Sequence, residues 1–149
     1  FATSLVNVRG APLHIGSPTT EGRPMAGYGG LFWRGPRSFF QGEAFTAAGH
    51  EGPEAMGQPA PWLAYVGRHD GSANTSTLVF LDHPNNVRYP TKWFMRQVPF
   101  ACASFAFMFD EVYVLEPDAR LDLRYRIVIA NGRWDRETIE PLAQQWQEG

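Results

Sequence analysis

Cysteine is almost absent from the sequence, since Cys102 is the only one among 149 residues. A single thiol excludes an internal disulfide and a thiolate metal cage. It also favours a reducing compartment, so we expect a cytoplasmic protein. Neither sign of charge is in large excess, because 13 basic and 15 acidic residues give a net charge of −2. Because the chain has no excess of positive charge to attract polyanions, we expect neither nucleic acid nor an anionic membrane as a partner.

Long apolar runs and clustered histidines are also missing. The longest nearly apolar run, 100–109, is interrupted by Ser104 and falls far short of the roughly 20 residues that a membrane-spanning helix needs. No histidine lies at a spacing typical of a metal site, and the sequence has no G-x-S-x-G nucleophile elbow. The histidines stand alone, at His14, His50, His69 and His83. We therefore expect no metal and no cofactor.

Glycine and proline, in contrast, are frequent. Fifteen glycines and twelve prolines separate short β-branched and aromatic runs, a pattern typical of a mostly β protein. The predicted strands cover 3–8, 13–15, 30–33, 62–67, 75–82, 93–98, 111–115 and 121–130, with turns at 68–72 and 116–119. The last strand is the clearest, because one face carries Leu121, Leu123, Tyr125, Ile127 and Ile129. Such alternation with polar residues indicates an antiparallel sheet.

Two further segments depart from the strand pattern. Residues 40–61 are rich in Gly, Ala, Glu and Pro without a period, so we predict a long surface loop that acts as a lid or a partner contact. Near the end of the chain, helical spacing connects Ile139, Leu142, Ala143 and Trp146. Asp135 or Thr138 can cap this helix. Pro141 favours Thr138, because proline is best tolerated in the first turn.

Half-buried strands need a second layer to cover their apolar faces. The predicted fold is therefore a mostly β, antiparallel β-sandwich with one C-terminal helix, formed by residues 1–149 as a single unit. Some strands are apolar on both faces, as at Trp93 and Phe94 and over 105–109. This predicts more covering protein than the chain supplies. We expect the unit to be part of a larger domain, paired with another copy or with a separate N-terminal half.

The densest polar group follows an apolar strand and includes Asp82, His83, Asn85, Arg88 and Lys92. His83 is the candidate catalytic residue, because histidine can act as a general acid or base near neutral pH. Arg88 could bind a carboxylate or a hydroxyl pair of a substrate, and Asn85 and Lys92 could line the same pocket. The alternative is a proline-rich connection in which Asp82 and Asn85 only satisfy turn amides.

A second candidate binding group contains Arg34 and Arg37, which follow two aromatic residues. Arginines beside aromatic rings could grip an anionic or hydroxylated ligand with cation–π support. Alternatively, they only cover Trp33 at the surface. Glu21 adds an acid in the loop 19–24. Three tryptophans are either sugar-stacking platforms or core residues, namely Trp33, Trp62 and Trp93.

Several motifs, in order along the chain, resemble a bacterial PmoA-like family of unknown function, often labelled "methane oxygenase PmoA". They lie at 16–24, 26–39, 82–93 and 121–126, and include Asp82-His83-Pro84-Asn85-Asn86. The similarity covers nearly the whole chain and corresponds to the C-terminal half of the family. It implies a β-supersandwich similar to galactose mutarotases and other carbohydrate-processing domains. It also implies a ligand pocket with Glu21, Arg34, Arg37, His83, Asn85, Arg88 and Lys92 as candidates.

Three functional hypotheses follow. The first is a carbohydrate-related protein that acts on or binds a sugar derivative, with His83 as acid or base and Arg88 and Arg34 orienting the substrate. The second is a non-catalytic module that holds a glycan or another polypeptide. The third, from the family label, is a copper oxygenase, which requires neighbouring histidines. An enzyme should bring His83, an arginine and a carboxylate into one concave pocket, whereas a binding module should show an exposed aromatic platform without that convergence.

Overall fold

A computed structural model describes all residues 1–149 and contains strands, two short 3-10 helices and one α-helix. The strands are β1 (Ala2–Val6), β2 (Leu13–Ile15), β3 (Phe32–Arg34), β4 (Glu43–Thr46), β5 (Trp62–Arg68), β6 (Thr75–Asp82), β7 (Trp93–Arg96), β8 (Cys102–Phe105), β9 (Tyr113–Leu115) and β10 (Arg120–Asn131). The 3-10 helices are Arg37–Phe39 and Gly52–Ala55, and α1 is Arg136–Gln147. None of the helices combines the length and the hydrophobicity that a bilayer-spanning segment requires.

Every strand pairing in the fold is antiparallel. A five-stranded sheet has the order β1-β10-β6-β5-β4, a three-stranded sheet has the order β3-β8-β7, and β2 pairs with β9. The main core contains 19 buried residues drawn from both larger sheets. The predicted fold class, antiparallel and sandwich-like with one C-terminal helix, is confirmed.

The five-stranded sheet is covered on both faces at its centre. One face of β5 and β6 contributes Leu63, Tyr65 and Phe80 to the main core. The other face packs against α1 through Ile139 and Ala143. Because both faces are buried, β5 reads as a nearly continuous apolar run rather than an alternation.

The two-sided apolar strand β7 is also covered by this chain. Trp93 packs into the main core, while Phe94 lies in a separate cluster with Cys102, Ala106 and Phe109. Tyr28 contacts the Phe94 ring edge to face, at 5.3 Å between ring centroids. Both faces of β7 are thus covered by residues of this chain, while the larger domain stays a prediction.

Two strands were absent from the sequence-based assignment. Residues 40–61, expected as one long loop, contain β4 and the 3-10 helix Gly52–Ala55, and Ala44, Phe45 and Thr46 are buried. β4 is difficult to predict because it is short and flanked by glycine-rich sequence. β8 lies in the apolar run 100–109, where burial of both faces removes the period-two pattern.

The alternation in β10 predicts its inner face only in part. Leu121, Leu123 and Tyr125 are buried in the main core, as expected. Ile127 and Ile129 continue the same face but are 39% and 75% exposed. The strand extends past the layer that covers it, and sequence periodicity does not reveal where that layer ends.

The C-terminal helix begins about one turn earlier than predicted, because the cap is not Thr138, the residue that Pro141 favoured. Asp135 is the cap, and its Oδ1 accepts hydrogen bonds from Thr138 N at 2.9 Å and Thr138 Oγ1 at 2.7 Å. Pro141 therefore lies inside α1. The missing amide of Pro141 would have bonded to the carbonyl of Glu137 in the first turn. Burial of Ile139 and Ala143 holds the helix on the sheet despite that loss.

Candidate functional site

The connection after β6 is organised around a buried carboxylate. Asp82 is 1% exposed, and its oxygens accept hydrogen bonds from Asn86 Nδ2 at 2.7 Å, Thr91 N at 2.9 Å and His83 N at 3.0 Å. Burial raises the pKa of Asp82 to about 6, although these hydrogen bonds act in the opposite direction. The carboxylate therefore holds the connection in shape from inside the protein.

His83 is also turned inward. Its Nδ1 accepts a hydrogen bond from the backbone N–H of Asn85 at 3.1 Å, and Nε2 is buried without a hydrogen-bond partner. The imidazole meets the Trp146 ring edge to face at 5.0 Å between centroids. Burial, assisted by the positive charge of Arg124, lowers the pKa of His83. The Trp146 ring, in the last turn of α1, is thus part of what covers the imidazole.

Asn86, which the sequence analysis named only as part of the Asp82-His83-Pro84-Asn85-Asn86 motif, is a structural residue. Its Nδ2 donates to the carbonyl of Arg124 at 2.6 Å, and its Oδ1 accepts from Arg124 N at 2.7 Å. The Asn86 side chain thus satisfies the backbone N–H and C=O of Arg124 in β10, at a position just beyond the end of the neighbouring strand β6. Asn85, in contrast, is exposed and contributes its backbone to the His83 contact.

Arg88 and Lys92 both hold the loop that precedes β9. The Arg88 guanidinium donates to the carbonyls of Phe107, Glu111 and Val112 at 2.9, 2.6 and 3.0 Å. Lys92 Nζ forms an ion pair with Asp110 at 2.6 Å. The polar groups of both cations are therefore occupied by contacts within the chain.

The other predicted pair of arginines lines an open cavity. Arg34 ends β3, and Arg37 begins the 3-10 helix that follows. The cavity has a volume of about 730 Å³ and is lined by Arg34, Gly35, Pro36, Arg37, Phe40, Asp70, Pro99 and Phe100. Neither guanidinium takes part in the ion pairs or side-chain hydrogen bonds of the chain. The Arg34 Cζ lies 3.8 Å from the centroid of the Phe100 ring.

Close backbone packing anchors the floor of this cavity. Gly35 N donates to the carbonyl of Ala101 at 2.9 Å, and a Cβ on Gly35 would lie 2.7 Å from the Trp33 indole. The 3-10 helix is held by Phe39, which is buried, and its carbonyl accepts from the Tyr65 hydroxyl at 2.8 Å. The cavity is therefore built on rigid elements of the core.

The cavity gathers two of the predicted site residues and separates them from the others. Glu21 is exposed in a turn, His83 is buried under α1, and neither lines the cavity. Phe40 and Phe100 are lining residues that the sequence analysis did not identify, and it gave Asp70 only as part of a turn. Asp70 lies in the predicted turn between β5 and β6, and only the fold brings that turn next to β3. No short-range sequence pattern indicates that the turn containing Asp70 lies beside β3.

The remaining aromatic and thiol candidates are structural. Trp62 and Trp93 are fully buried, and Trp33 packs against the main core, which confirms the core interpretation of these tryptophans. Cys102 is buried, and burial raises its pKa, so the thiol is not an activated nucleophile.

No group of three His, Cys, Asp or Glu side chains is positioned to hold a metal ion. The histidines lie on separate parts of the fold, with His14 in β2, His50 after β4, His69 after β5 and His83 after β6. This distribution does not fit the copper ion that the oxygenase label implies.

Comparisons with known proteins give one result. Searches of curated proteins and of solved structures find no significant match. A family model, described as a family of unknown function, matches residues 1–144. The expected membership in a family of unknown function is confirmed, while its PmoA-like and mutarotase-like character stays a prediction. The chain belongs to the family of unknown function DUF6807.

Proposed function

We propose that this chain binds an acidic sugar derivative, a uronate or a sugar phosphate, in the cavity between Arg34 and Arg37. The observation that carries the proposal is the pair of guanidinium groups without intramolecular ion pairs beside an exposed carboxylate and two phenyl rings. Arginines at the surface of a protein commonly pair with neighbouring acids. Here Arg88, Arg120, Arg133 and Arg136 do so, whereas Arg34 and Arg37 are among the arginines that do not. What distinguishes these two is that both line the same cavity.

The lining groups match the parts of such a ligand. A guanidinium presents several donors in a planar fork, which suits a carboxylate or phosphate. The Asp70 carboxylate can accept hydrogen bonds from sugar hydroxyls. Phe40, which is 47% exposed, offers an apolar ring to the C–H groups of a pyranose, while the Phe100 ring supports the Arg34 guanidinium. This combination of a few polar groups with aromatic walls is typical of small-molecule sites.

Binding is favoured over catalysis, because His83 does not converge with an arginine and a carboxylate in an accessible pocket. Asp82 and Arg124 are near His83, but the group is buried beneath Trp146. The cavity itself contains no histidine. Catalysis by His83 on a sugar derivative therefore remains the less supported alternative. Cytoplasmic location stays our prediction from the single buried thiol.

Titration calorimetry with D-glucuronate, glucose 6-phosphate, glucose and inorganic phosphate tests the proposal. We expect saturable binding of the two acidic sugars and much weaker binding of glucose. Arg34→Ala and Arg37→Ala should each weaken binding by about tenfold or more, since each removes a charge-assisted contact. The matched control is Arg9→Ala, which removes an exposed arginine outside the cavity and should leave affinity unchanged.

Three results would contradict the proposal. Failure of both acidic sugars to bind would remove it, as would binding that is insensitive to Arg34→Ala and Arg37→Ala. Inorganic phosphate that binds as tightly as glucose 6-phosphate would reduce the site to a general anion site and contradict its sugar specificity.

A further inference from the structure

A second cavity borders the same hairpin as the cavity between Arg34 and Arg37, called here the arginine cavity. The hairpin joins β5 to β6, and its residue Asp70 lines the arginine cavity. The preceding residue lines the second cavity, called here the hairpin cavity, which has a volume of about 630 Å³. The polar side chains that line the hairpin cavity are His69, Ser72, Asn74, Thr75 and Asn131.

The strand register places part of the hairpin cavity on the inner face of the five-stranded sheet. Gly67 pairs with Ser76, which in turn pairs with Asn131. Residues directly opposite in antiparallel strands share a face, and the next pair on this face, Tyr65 and Leu78, lies in the main core. Because neighbouring strands are about 4.8 Å apart, this row extends over roughly 10 Å from β5 to β10.

Phe39 connects the arginine cavity to this row. It ends the 3-10 helix that borders the arginine cavity, and its ring lies over Gly67, where a Cβ would be 2.1 Å from Phe39 Cγ. The same ring meets the imidazole of His69 edge to face, at 6.0 Å between centroids. His69 Nε2 is hydrogen-bonded to Ser76 Oγ at 2.8 Å. The two cavities therefore lie along one surface, with His69 between them.

Backbone hydrogen bonds fix the walls of the hairpin cavity. His69 N donates to the carbonyl of Asn74 at 3.0 Å, which closes the hairpin. Gly132 N donates to the carbonyl of Thr75 at 2.8 Å, and the Thr77 hydroxyl donates to the carbonyl of Gly132 at 2.7 Å. The hairpin and the end of β10 are thus held against each other, so their side chains keep a defined spacing.

The lining groups of the two cavities differ in charge. The arginine cavity has two guanidinium groups and a carboxylate, whereas no arginine, lysine, aspartate or glutamate lines the hairpin cavity. The side chains of Asn74 and Asn131 are exposed, and their amides take no part in the hydrogen bonds of the chain. A side-chain amide offers two donors and an acceptor, which suits neighbouring hydroxyl groups of a sugar. The hairpin cavity therefore fits an uncharged sugar better than a second acidic one.

We infer that the ligand is an acidic disaccharide, in which a uronate is joined by a glycosidic bond to a neutral sugar. This inference rests on the proposed function, because the uronate occupies the arginine cavity. The neutral sugar occupies the hairpin cavity and bonds to the amides of Asn74 and Asn131. The linkage between the two sugars passes over His69, whose imidazole lies at the boundary of the two cavities.

Titration calorimetry with D-glucuronate, cellobiouronate and the hyaluronan disaccharide tests the inference. Both disaccharides join glucuronate to a neutral sugar, and they differ in linkage. We expect at least one of them to bind about tenfold more tightly than D-glucuronate. Asn74→Ala and Asn131→Ala should each weaken disaccharide binding by about threefold or more, since each removes hydrogen bonds to the second sugar, and should leave the affinity for D-glucuronate unchanged.

Gln145→Ala is the matched control, because it removes an exposed side-chain amide on α1 that lines neither cavity. It should leave the affinity for every ligand unchanged. Arg34→Ala, in contrast, should weaken binding of the monosaccharide and of the disaccharides alike.

The outcomes separate this inference from the proposed function. If D-glucuronate binds through Arg34 and Arg37 but neither disaccharide binds more tightly, the inference is wrong and the proposed function stands. Tighter disaccharide binding that Asn74→Ala and Asn131→Ala leave intact also overturns the inference, because the second sugar would then lie elsewhere. If none of the three ligands binds, the inference and the proposed function fail together.

Discussion

At the scale of single residues, polar side chains that suggest site chemistry are used here to hold loops. Asp82 collects three donors from the connection after β6, and Arg88 donates to three carbonyls of the 107–112 loop. Removing either group leaves buried or partly buried partners unsatisfied, which costs more than the net value of one hydrogen bond. Residue type alone does not distinguish a side chain that holds a loop through hydrogen bonds from one that contacts a ligand.

Asp82 should give the protein a characteristic pH dependence. Its folded pKa is raised above the unfolded value of 3.8 to about 6. The folded state therefore holds the proton more tightly, and this contribution to the free energy of unfolding is present below pH 3.8 and lost as pH rises through 6. The shift corresponds to roughly 3 kcal/mol. Urea unfolding should be measured from pH 3.5 to 7. Over this range the free energy of unfolding of the wild type should fall relative to that of Asp82→Asn, which lacks the titrating carboxyl group.

Asp122→Asn is the matched comparison for that experiment. Hydrogen bonds from Ser4 and Arg120 lower the pKa of Asp122, so its stabilising contribution is lost as pH falls, the opposite sign. Equal pH profiles for wild type and Asp82→Asn would show that the Asp82 carboxylate does not titrate as its burial requires.

At the scale of elements, α1 seals the end of β6. Trp146 Nε1 donates to the carbonyl of Asp82 at 3.1 Å, and the indole covers the imidazole of His83. Trp62 Nε1 donates to Glu140 at 3.2 Å on the same helix. The helix therefore excludes water from the polar connection as well as covering the apolar face of β5 and β6.

Removal of this cover should change the titration of His83. In Trp146→Ala, water reaches the imidazole, so the desolvation that lowers its pKa is reduced and the pKa rises toward 6.5. NMR titration of the imidazole protons measures the change. Trp134→Ala is the control, because Trp134 packs against the same helix-side cluster without covering His83. An unchanged His83 pKa in Trp146→Ala would show that the helix is not the source of the desolvation.

At the scale of the whole molecule, the sequence reveals periodic, half-buried elements better than it reveals where they meet. Alternation identified the start of β10, and helical spacing identified the buried side of α1. The continuous apolar run hid β8, and exposure of Ile129 could not be read from its apolar character. Arg34 and Arg37 were adjacent enough to suggest a pair, but Asp70 and Phe100 join them only through tertiary structure.

The arrangement of the layers predicts an order of local stability. β5 and β6 lie inside the five-stranded sheet between the main core and α1, so their amides should open only in global unfolding. β2 and β9 form a separate three-residue ladder in which only Leu115 is buried, and they should open locally. Hydrogen exchange should therefore show the greatest protection in β5 and β6 and clearly less in β2 and β9. Equal protection of the two groups would mean that the small sheet unfolds only together with the large one. That outcome would make the molecule a single cooperative unit, because no part of it could then open without loss of the main core.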